Sequence, residues 1–216
     1  EWGIQSPHLI NATGLNTQTI SGDPDGKGDE NQLSAYDIAV IAKHLLQDFP
    51  EVTKYTSKPT ALFSNTQIEN PNLMLEGMPN YRSGVDGLRV SNSTKGGITF
   101  AASTTQNGIH MITGVLGVEA VDGDPYARFV ATSSLMNYVV RTFVSSIVVK
   151  EGDPYGKSRA SVIDGKSETV LAVAKKDFYI VEKQGSQADP KIQVKGNQES
   201  CRAPVKSDTN LGKLHY

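Results

Sequence analysis

The sequence predicts an α+β fold, an antiparallel sheet with packed helices, followed by a small all-β module. Three observations carry this. A helical period runs from Ser34 to Phe49, and an Asn-Gly dipeptide separates two extended apolar runs between residues 98 and 118. After Val144, short β-branched segments recur between clusters of Gly, Asp, Pro and Lys. The boundary between the two parts is expected near residues 143–147, giving domains 1–145 and 146–216.

Taken in order, residues 1–33 are rich in Asn, Gly, Asp and Thr, and Ser21 to Glu30 reads as a surface loop. Its alternating acids invite a calcium reading. Counted from Asp23, however, Lys27 stands at the fifth position and Ser34 at the twelfth, where an EF-hand loop needs oxygen ligands, so a solvated loop is preferred. Ser34 is then a good N-cap with Asp37 three residues on. Ile38, Ile41, Ala42, Leu45, Leu46 and Phe49 fall on one helix face, and Pro50 stops the helix.

From Val85 the period becomes extended. Ile98, Phe100 and Ala102 alternate with Thr99 and Ala101, Ile109 to Val118 forms a second run, and Gln106-Asn107-Gly108 predicts the hairpin between them. Asp124-Pro125 opens a helix through Phe129, Met136 and Tyr138 to about Val140. Strands are expected at Ser146 to Lys150, Arg159 to Ile163, Thr169 to Ala174, Phe178 to Glu182 and Ile192 to Val194. Gly-Asp-Pro-Tyr occurs at 123–126 and again at 152–155, which is turn chemistry rather than a repeat.

Composition narrows the function. With 21 basic and 23 acidic residues, a formal charge of -2 and a pI near 6.1, no global field favours nucleic acid, and none is expected as a partner. The single cysteine, Cys201, makes neither an internal disulfide nor a cysteine metal site. His8, His44, His110 and His215 are scattered singly, so no metal and no cofactor are expected. No apolar stretch reaches the length of a membrane span, since Tyr138 to Val149 is broken by Arg141, Thr142, Ser145 and Ser146. The opening Glu1-Trp2-Gly3-Ile4 has neither the basic nor the apolar region of a signal peptide, and residues upstream are expected to be missing.

No catalytic constellation emerges from the residues themselves. Gly-x-Ser-x-Gly, His-Glu-x-x-His, a Walker loop and a dinucleotide glycine motif are all absent. The segment Tyr81 to Gly97 does place Arg89 and several hydroxyls on or after a strand, where they meet either solvent or an anionic ligand.

Several phrases together resemble the serine D-alanyl-D-alanine carboxypeptidases, the low-molecular-weight penicillin-binding proteins, of the kind found in streptococcus-like bacteria. They are Trp2-Gly3-Ile4 with Asn11-Ala12-Thr13-Gly14-Leu15, Leu33-Ser34-Ala35-Tyr36-Asp37-Ile38-Ala39, Asn72-Leu73-Met74-Leu75 leading to Val85-Asp86-Gly87-Leu88, and Arg128-Phe129 with Ala131-Thr132-Ser133-Ser134-Leu135. Asp164-Gly165-Lys166, Ala203-Pro204-Val205 and Leu211-Gly212-Lys213-Leu214 resemble the family's C-terminal sandwich. The resemblance covers essentially the whole chain and implies part of a β-lactamase/transpeptidase-like domain followed by that sandwich.

It also implies an activity. In that family a serine in a Ser-x-x-Lys motif attacks the bond between two terminal D-alanines of the peptidoglycan stem peptide, a Ser-x-Asn motif helps move protons, and a Lys-Thr-Gly strand holds the substrate's carboxylate end. β-Lactams acylate the same serine. Neither Ser-x-x-Lys nor Ser-x-Asn occurs here, so this chain contributes no catalytic residue and alone is expected to be inactive. Arg89-Val90-Ser91 stands in the register of Lys-Thr-Gly and supplies the candidate substrate-binding residues. Arg89 keeps the charge, Val90 lacks the hydroxyl, and Ser91 adds a side chain where glycine admits a ligand. A shifted register on Lys95-Gly96-Gly97 restores two motif residues, yet that triplet better matches the Lys-Ala-Gly that follows the motif.

The resemblance further implies location on the outer face of the bacterial cytoplasmic membrane and a complementary N-terminal segment as partner. The alternative is a non-catalytic relative that binds or organises cell wall.

Overall fold

The computed structural model describes residues 2–5, 7–17, 29–93, 96–119, 124, 126–156, 158–186, 191–196 and 200–216, without the side chains of Ser93 and Gly196. The acidic run 21–28 weighed for calcium, together with Lys95 and Pro125, lies outside the described residues. The chain divides into two compact units, 1–140 and 141–216.

The first unit is built on a three-stranded antiparallel sheet, β3 (Val85–Ser93), β4 (Gly97–Gln106) and β5 (Ile109–Val118), in the order β3-β4-β5. The Asn-Gly hairpin forms as predicted, with Gln106 opposite Ile109 and positive φ at Asn107 (52°) and Gly108 (72°). Helix α1 (Ala35–Asp48) carries a full capping box at its start. Ser34 Oγ accepts from Asp37 N at 3.0 Å, and Asp37 Oδ2 accepts from Ser34 N at 3.1 Å. The other oxygen, Oδ1, accepts from Gln5 N at 2.8 Å, which ties the amino-terminal segment to the helix. Together these bonds, that of Gln5 first, hold the carboxyl of the solvent-inaccessible Asp37 below its ordinary pKa. Pro50 ends the helix and opens a short 3-10 turn before α2 (Thr53–Thr56).

Helix α3 (Ala127–Thr142) begins three residues after Asp124, whose Oδ1 accepts from Tyr126 N at 2.8 Å, and ends two residues beyond the expected Val140. The helices cover opposite faces of the sheet. On one, Gly114 of β5 lets α1 come so close that a Cβ there would sit 2.9 Å from the carbonyl oxygen of Ala35. On the other, Phe129 of α3 meets Phe100 of β4 edge to face at 5.4 Å, beside buried Ala102, Met111, Val115 and Met136. Buried Met74 and Leu75 complete the core from the irregular segment before β3, where Asn72 Oδ1 accepts from Met74 N at 3.0 Å.

A hairpin not anticipated from the sequence, β1 (Thr60–Phe63) with β2 (Thr66–Glu69), stands between α2 and this segment with every strand residue exposed. Its base is closed by Asn70, whose Nδ2 donates to Thr56 O at 3.0 Å and Lys58 O at 3.1 Å, and whose main-chain N–H donates to Pro59 O at 2.8 Å.

The second unit is all β after the last turn of α3. Strand β6 (Phe143–Val149) follows Thr142 directly, three residues earlier than expected, and pairs with β9 (Phe178–Lys183). The remaining strands are β7 (Arg159–Ile163), β8 (Thr169–Leu171), β10 (Gln193–Gly196), β11 (Ser200–Arg202) and β12 (Gly212–His215). They form β11-β7-β8 and β10-β12 sheets, with β11 parallel to β7. Cys201 is buried, and its Sγ lies 3.6 Å from Ser161 O.

Candidate functional site

Strand β3 carries Arg89, Val90 and Ser91 at one edge of the sheet. The register places Arg89 opposite Ala101 and thence Gly114, while Val90 lies opposite Phe100 and thence Val115. Side chains alternate across a strand, so Arg89 and Ser91 project from the face that carries α1 and Val90 from the face that carries α3. The structure therefore brings two of the three candidates together and turns the third toward the core. In the two-residue hairpin Gln106 and Ile109 exchange hydrogen bonds, so Ala101 and Ser103 turn their main chain toward β3, a phase that the bond from Thr105 N to Gly84 O (3.1 Å) confirms. It leaves the main-chain groups of Leu88 and Val90 facing the open edge.

The start of the strand is held by a compact network. Thr56 Oγ1 of α2 donates to Asp86 O at 2.8 Å, and Ser103 Oγ donates to Asp86 Oδ1. Gly87 permits this approach, because a Cβ there would lie 2.9 Å from Thr56 Cβ. Before the strand, Arg82 reaches two elements, α3 and β4, with Nη1 donating to Asn137 Oδ1 at 2.8 Å and to Ser133 O at 3.4 Å, and Nη2 to Gln106 Oε1 at 2.7 Å.

The end of the strand is clamped by Arg128 from α3. Its Nη1 donates to Ser91 O at 3.1 Å and Thr99 O at 3.2 Å, and its Nη2 donates to Asn92 Oδ1. The residue is only 6% exposed, burial lowers its pKa, and among the described residues no carboxylate pairs with it. A buried guanidinium held by neutral oxygens thus sits directly behind the candidate strand. Sequence reading placed Arg128 only as a helix residue, because nothing in the spacing links it to Asn92 across 36 positions.

Arg89 itself is exposed, and among the described residues it has no ion-pair partner. Five donors in a planar fork, no acceptor and an accessible position suit a carboxylate. The amino-terminal phrase is also ordered locally, since Asn11 Oδ1 accepts from Thr13 N at 3.0 Å and Gly14 N at 2.9 Å, with Gly14 at φ 74°.

The D-alanyl-D-alanine carboxypeptidase family model matches residues 1–120, and the model for the C-terminal domain of penicillin-binding protein 5 matches residues 143–216. D-alanyl-D-alanine carboxypeptidase DacA of Haemophilus influenzae is 28% identical over 195 residues, 89% of this chain and 47% of that protein. Its Escherichia coli counterpart is 27% identical over 212 residues, 96% of this chain and 49% of that protein.

Among solved structures, the peptidoglycan synthesis regulatory factor (PBP3) of Streptococcus pneumoniae aligns with a TM-score of 0.87 and 42% identity, over 98% of this chain and 58% of that one. Penicillin-binding protein D2 of Listeria monocytogenes in its cefotaxime-bound form aligns at 0.50 and 25%, over 63% and 49%. The chain spans about half the length of the curated relatives it matches. With more than half of its residues matched by that family model, the chain belongs to the D-alanyl-D-alanine carboxypeptidase family.

Proposed function

We propose that this chain is a portion of a D-alanyl-D-alanine carboxypeptidase that trims peptidoglycan stem peptides through a serine acyl-enzyme, and that its own part is to receive the substrate's terminal carboxylate. The observation that carries the reading is Arg89, exposed on the β3 edge with Ser91 on the same face, in a strand whose Ser91 carbonyl is held by Arg128. Residues 1–145 are assigned to the transpeptidase-like domain and 146–216 to the all-β domain. The nucleophile and base are assigned to sequence outside this chain, which contains neither Ser-x-x-Lys nor Ser-x-Asn. β-Lactams are ligands of the whole protein in this reading, supported by the cefotaxime-bound Listeria relative. The site of action is the outer face of the cytoplasmic membrane or the cell wall.

One observation favours a second reading, a non-catalytic relative that binds or organises cell wall: Arg89-Val90-Ser91 departs at all three positions from Lys-Thr-Gly. Labelling with fluorescent penicillin and intact-mass analysis separates the two. A covalent adduct on a longer form carrying sequence upstream of Glu1, and none on the 216-residue chain, supports the enzyme; no adduct on either supports the second reading. For the strand itself, Arg89→Ala should weaken binding of an N-acylated D-Ala-D-Ala peptide about 10-fold to 100-fold, the worth of one charge-assisted hydrogen bond. Unchanged affinity removes Arg89 from the site.

A further inference from the structure

The turn between β4 and β5 combines a reactive dipeptide with contacts that matter to β3. Asn107-Gly108 is the one Asn-Gly pair in the sequence. Both residues are exposed, and both take positive φ (52° and 72°). Among the described residues, neither the Asn107 side chain nor the Gly108 N–H makes a hydrogen bond. A free carboxamide is therefore followed in the chain by a free main-chain nitrogen, on a residue with no side chain to hinder its approach.

Other asparagines lack one or another of these conditions. Asn31 is engaged at both side-chain atoms, Oδ1 accepting from Ile10 N at 2.8 Å and Nδ2 donating to Asn11 O at 2.9 Å. Asn92 and Asn137 hold the guanidinium groups of Arg128 and Arg82. Asn70 precedes Pro71, which has no N–H to react. Asn65 is exposed at a comparable tip, yet the next residue is β-branched Thr66, paired with Phe63 in the ladder.

We propose that Asn107 is a deamidation site and that its isoaspartyl product loosens the entry to β3. The Gly108 nitrogen, giving its proton to hydroxide, bonds to Asn107 Cγ, and ammonia leaves as a succinimide ring closes. Water then opens the ring. Attack at Cγ breaks the new bond and leaves aspartate, whereas attack at the main-chain carbon breaks the original peptide bond and leaves isoaspartate, with the chain running through Cβ and Cγ. Gln106 and Ile109 pair across the turn, so ring closure draws on local opening of the tip.

The two products differ in consequence. Aspartate suits the same left-handed turn as asparagine, but isoaspartate adds a carbon to the main chain of a two-residue connection and displaces what lies beside it. There Gln106 Oε1 accepts from Arg82 Nη2 at 2.7 Å, Gln106 Nε2 donates to Ser83 O at 2.8 Å, and Thr105 N donates to Gly84 O at 3.1 Å. These three bonds tie the hairpin to the segment that leads into β3. The inference holds whatever β3 binds, so it stands or falls apart from the carboxylate site.

The test ages the purified 216-residue chain in mildly alkaline buffer, with a urea-unfolded sample beside it, and maps the products by peptide mass analysis that separates aspartate from isoaspartate. Position 107 should deamidate at least about tenfold faster than any other asparagine in the folded chain, and faster still in the unfolded one. In the isoaspartyl fraction, amide exchange at Thr105 and Ile109 should speed up at least about tenfold, while directly made Asn107→Asp should leave it within about threefold. Asn107→Gln, whose longer side chain closes the ring poorly, should suppress the reaction at this position. Prior reaction at another asparagine, reaction at 107 only in the unfolded sample, or unchanged exchange in the isoaspartyl fraction overturns the proposal.

Discussion

Replacing Arg128 with methionine tests how the candidate strand is held. The guanidinium donates to Ser91 O, Thr99 O and Asn92 Oδ1, three neutral oxygens. At the lower end of the range for hydrogen bonds to a charged group, about 1.5 kcal/mol each, the three contribute roughly 4–5 kcal/mol before the cost of burying the cation is counted. That cost cancels a large part, since no carboxylate among the described residues compensates the charge. Ser91 and Thr99 are also partners across β3 and β4 and retain their ladder, and exposed Asn92 recovers water. The net loss for Arg128→Met is therefore expected at about 2–3 kcal/mol, a sizeable share of the 5–15 kcal/mol typical of a domain.

Urea unfolding followed by the fluorescence of Trp2 reports on the first unit, because this single tryptophan belongs to it and stacks on His44 at 4.2 Å. The midpoint should fall by about 1–2 M, using denaturant slopes of roughly 1–3 kcal/mol per molar. Arg128→Lys should recover part of the loss, and Asn92→Ala alone should cost under about 1 kcal/mol. A loss below about 0.5 kcal/mol for Arg128→Met would refute the reasoning, because the contacts would then do no more than offset desolvation.

Further outcomes are expected elsewhere. Hydrogen bonds depress the pKa of Asp37 in the folded state, so its contribution is fully present above the ordinary carboxyl range and is lost as pH falls through the depressed value. Asp37→Asn should flatten the acid limb of a stability-against-pH curve, and an unaltered limb would dissociate Asp37 from acid unfolding. Gly108→Ala should cost about 1 kcal/mol by forcing a Cβ into left-handed backbone at φ 72°, measured by thermal unfolding, and neutrality would contradict the turn geometry. Cys201, 8% exposed, should react with a thiol reagent only as fast as the second unit opens, and immediate reaction would contradict its burial.

How legible these features were depended on how local their causes are. The α1 start was readable because capping and helical period both lie within Ser34 to Phe49, and the β4–β5 hairpin because Asn107-Gly108 meets the left-handed turn without strain. The β1–β2 hairpin was not, since its strands are exposed on both faces and show no inward alternation, and its turn, Ser64-Asn65, takes positive φ (46° and 65°) without a glycine. Strands β11 and β12 are short, and the parallel partner of β11 lies 39 residues earlier, from Ser161 to Ser200. At the site, Arg89, Val90 and Ser91 were readable as a segment. Their division between two faces required the register, and the Arg128 clamp required the packing of α3 against the sheet.

The outlying β1–β2 hairpin also suggests where the chain tolerates interruption. Asn70 stitches its base with three hydrogen bonds, and among the described residues the exposed tip at Ser64-Asn65 has no long-range hydrogen bond beyond its own short ladder. Such a tip is where a protease would nick first and where a foreign loop or reporter peptide could be spliced in at little cost to folding. An affinity handle placed there would leave both edges of the central sheet open to whatever binds them.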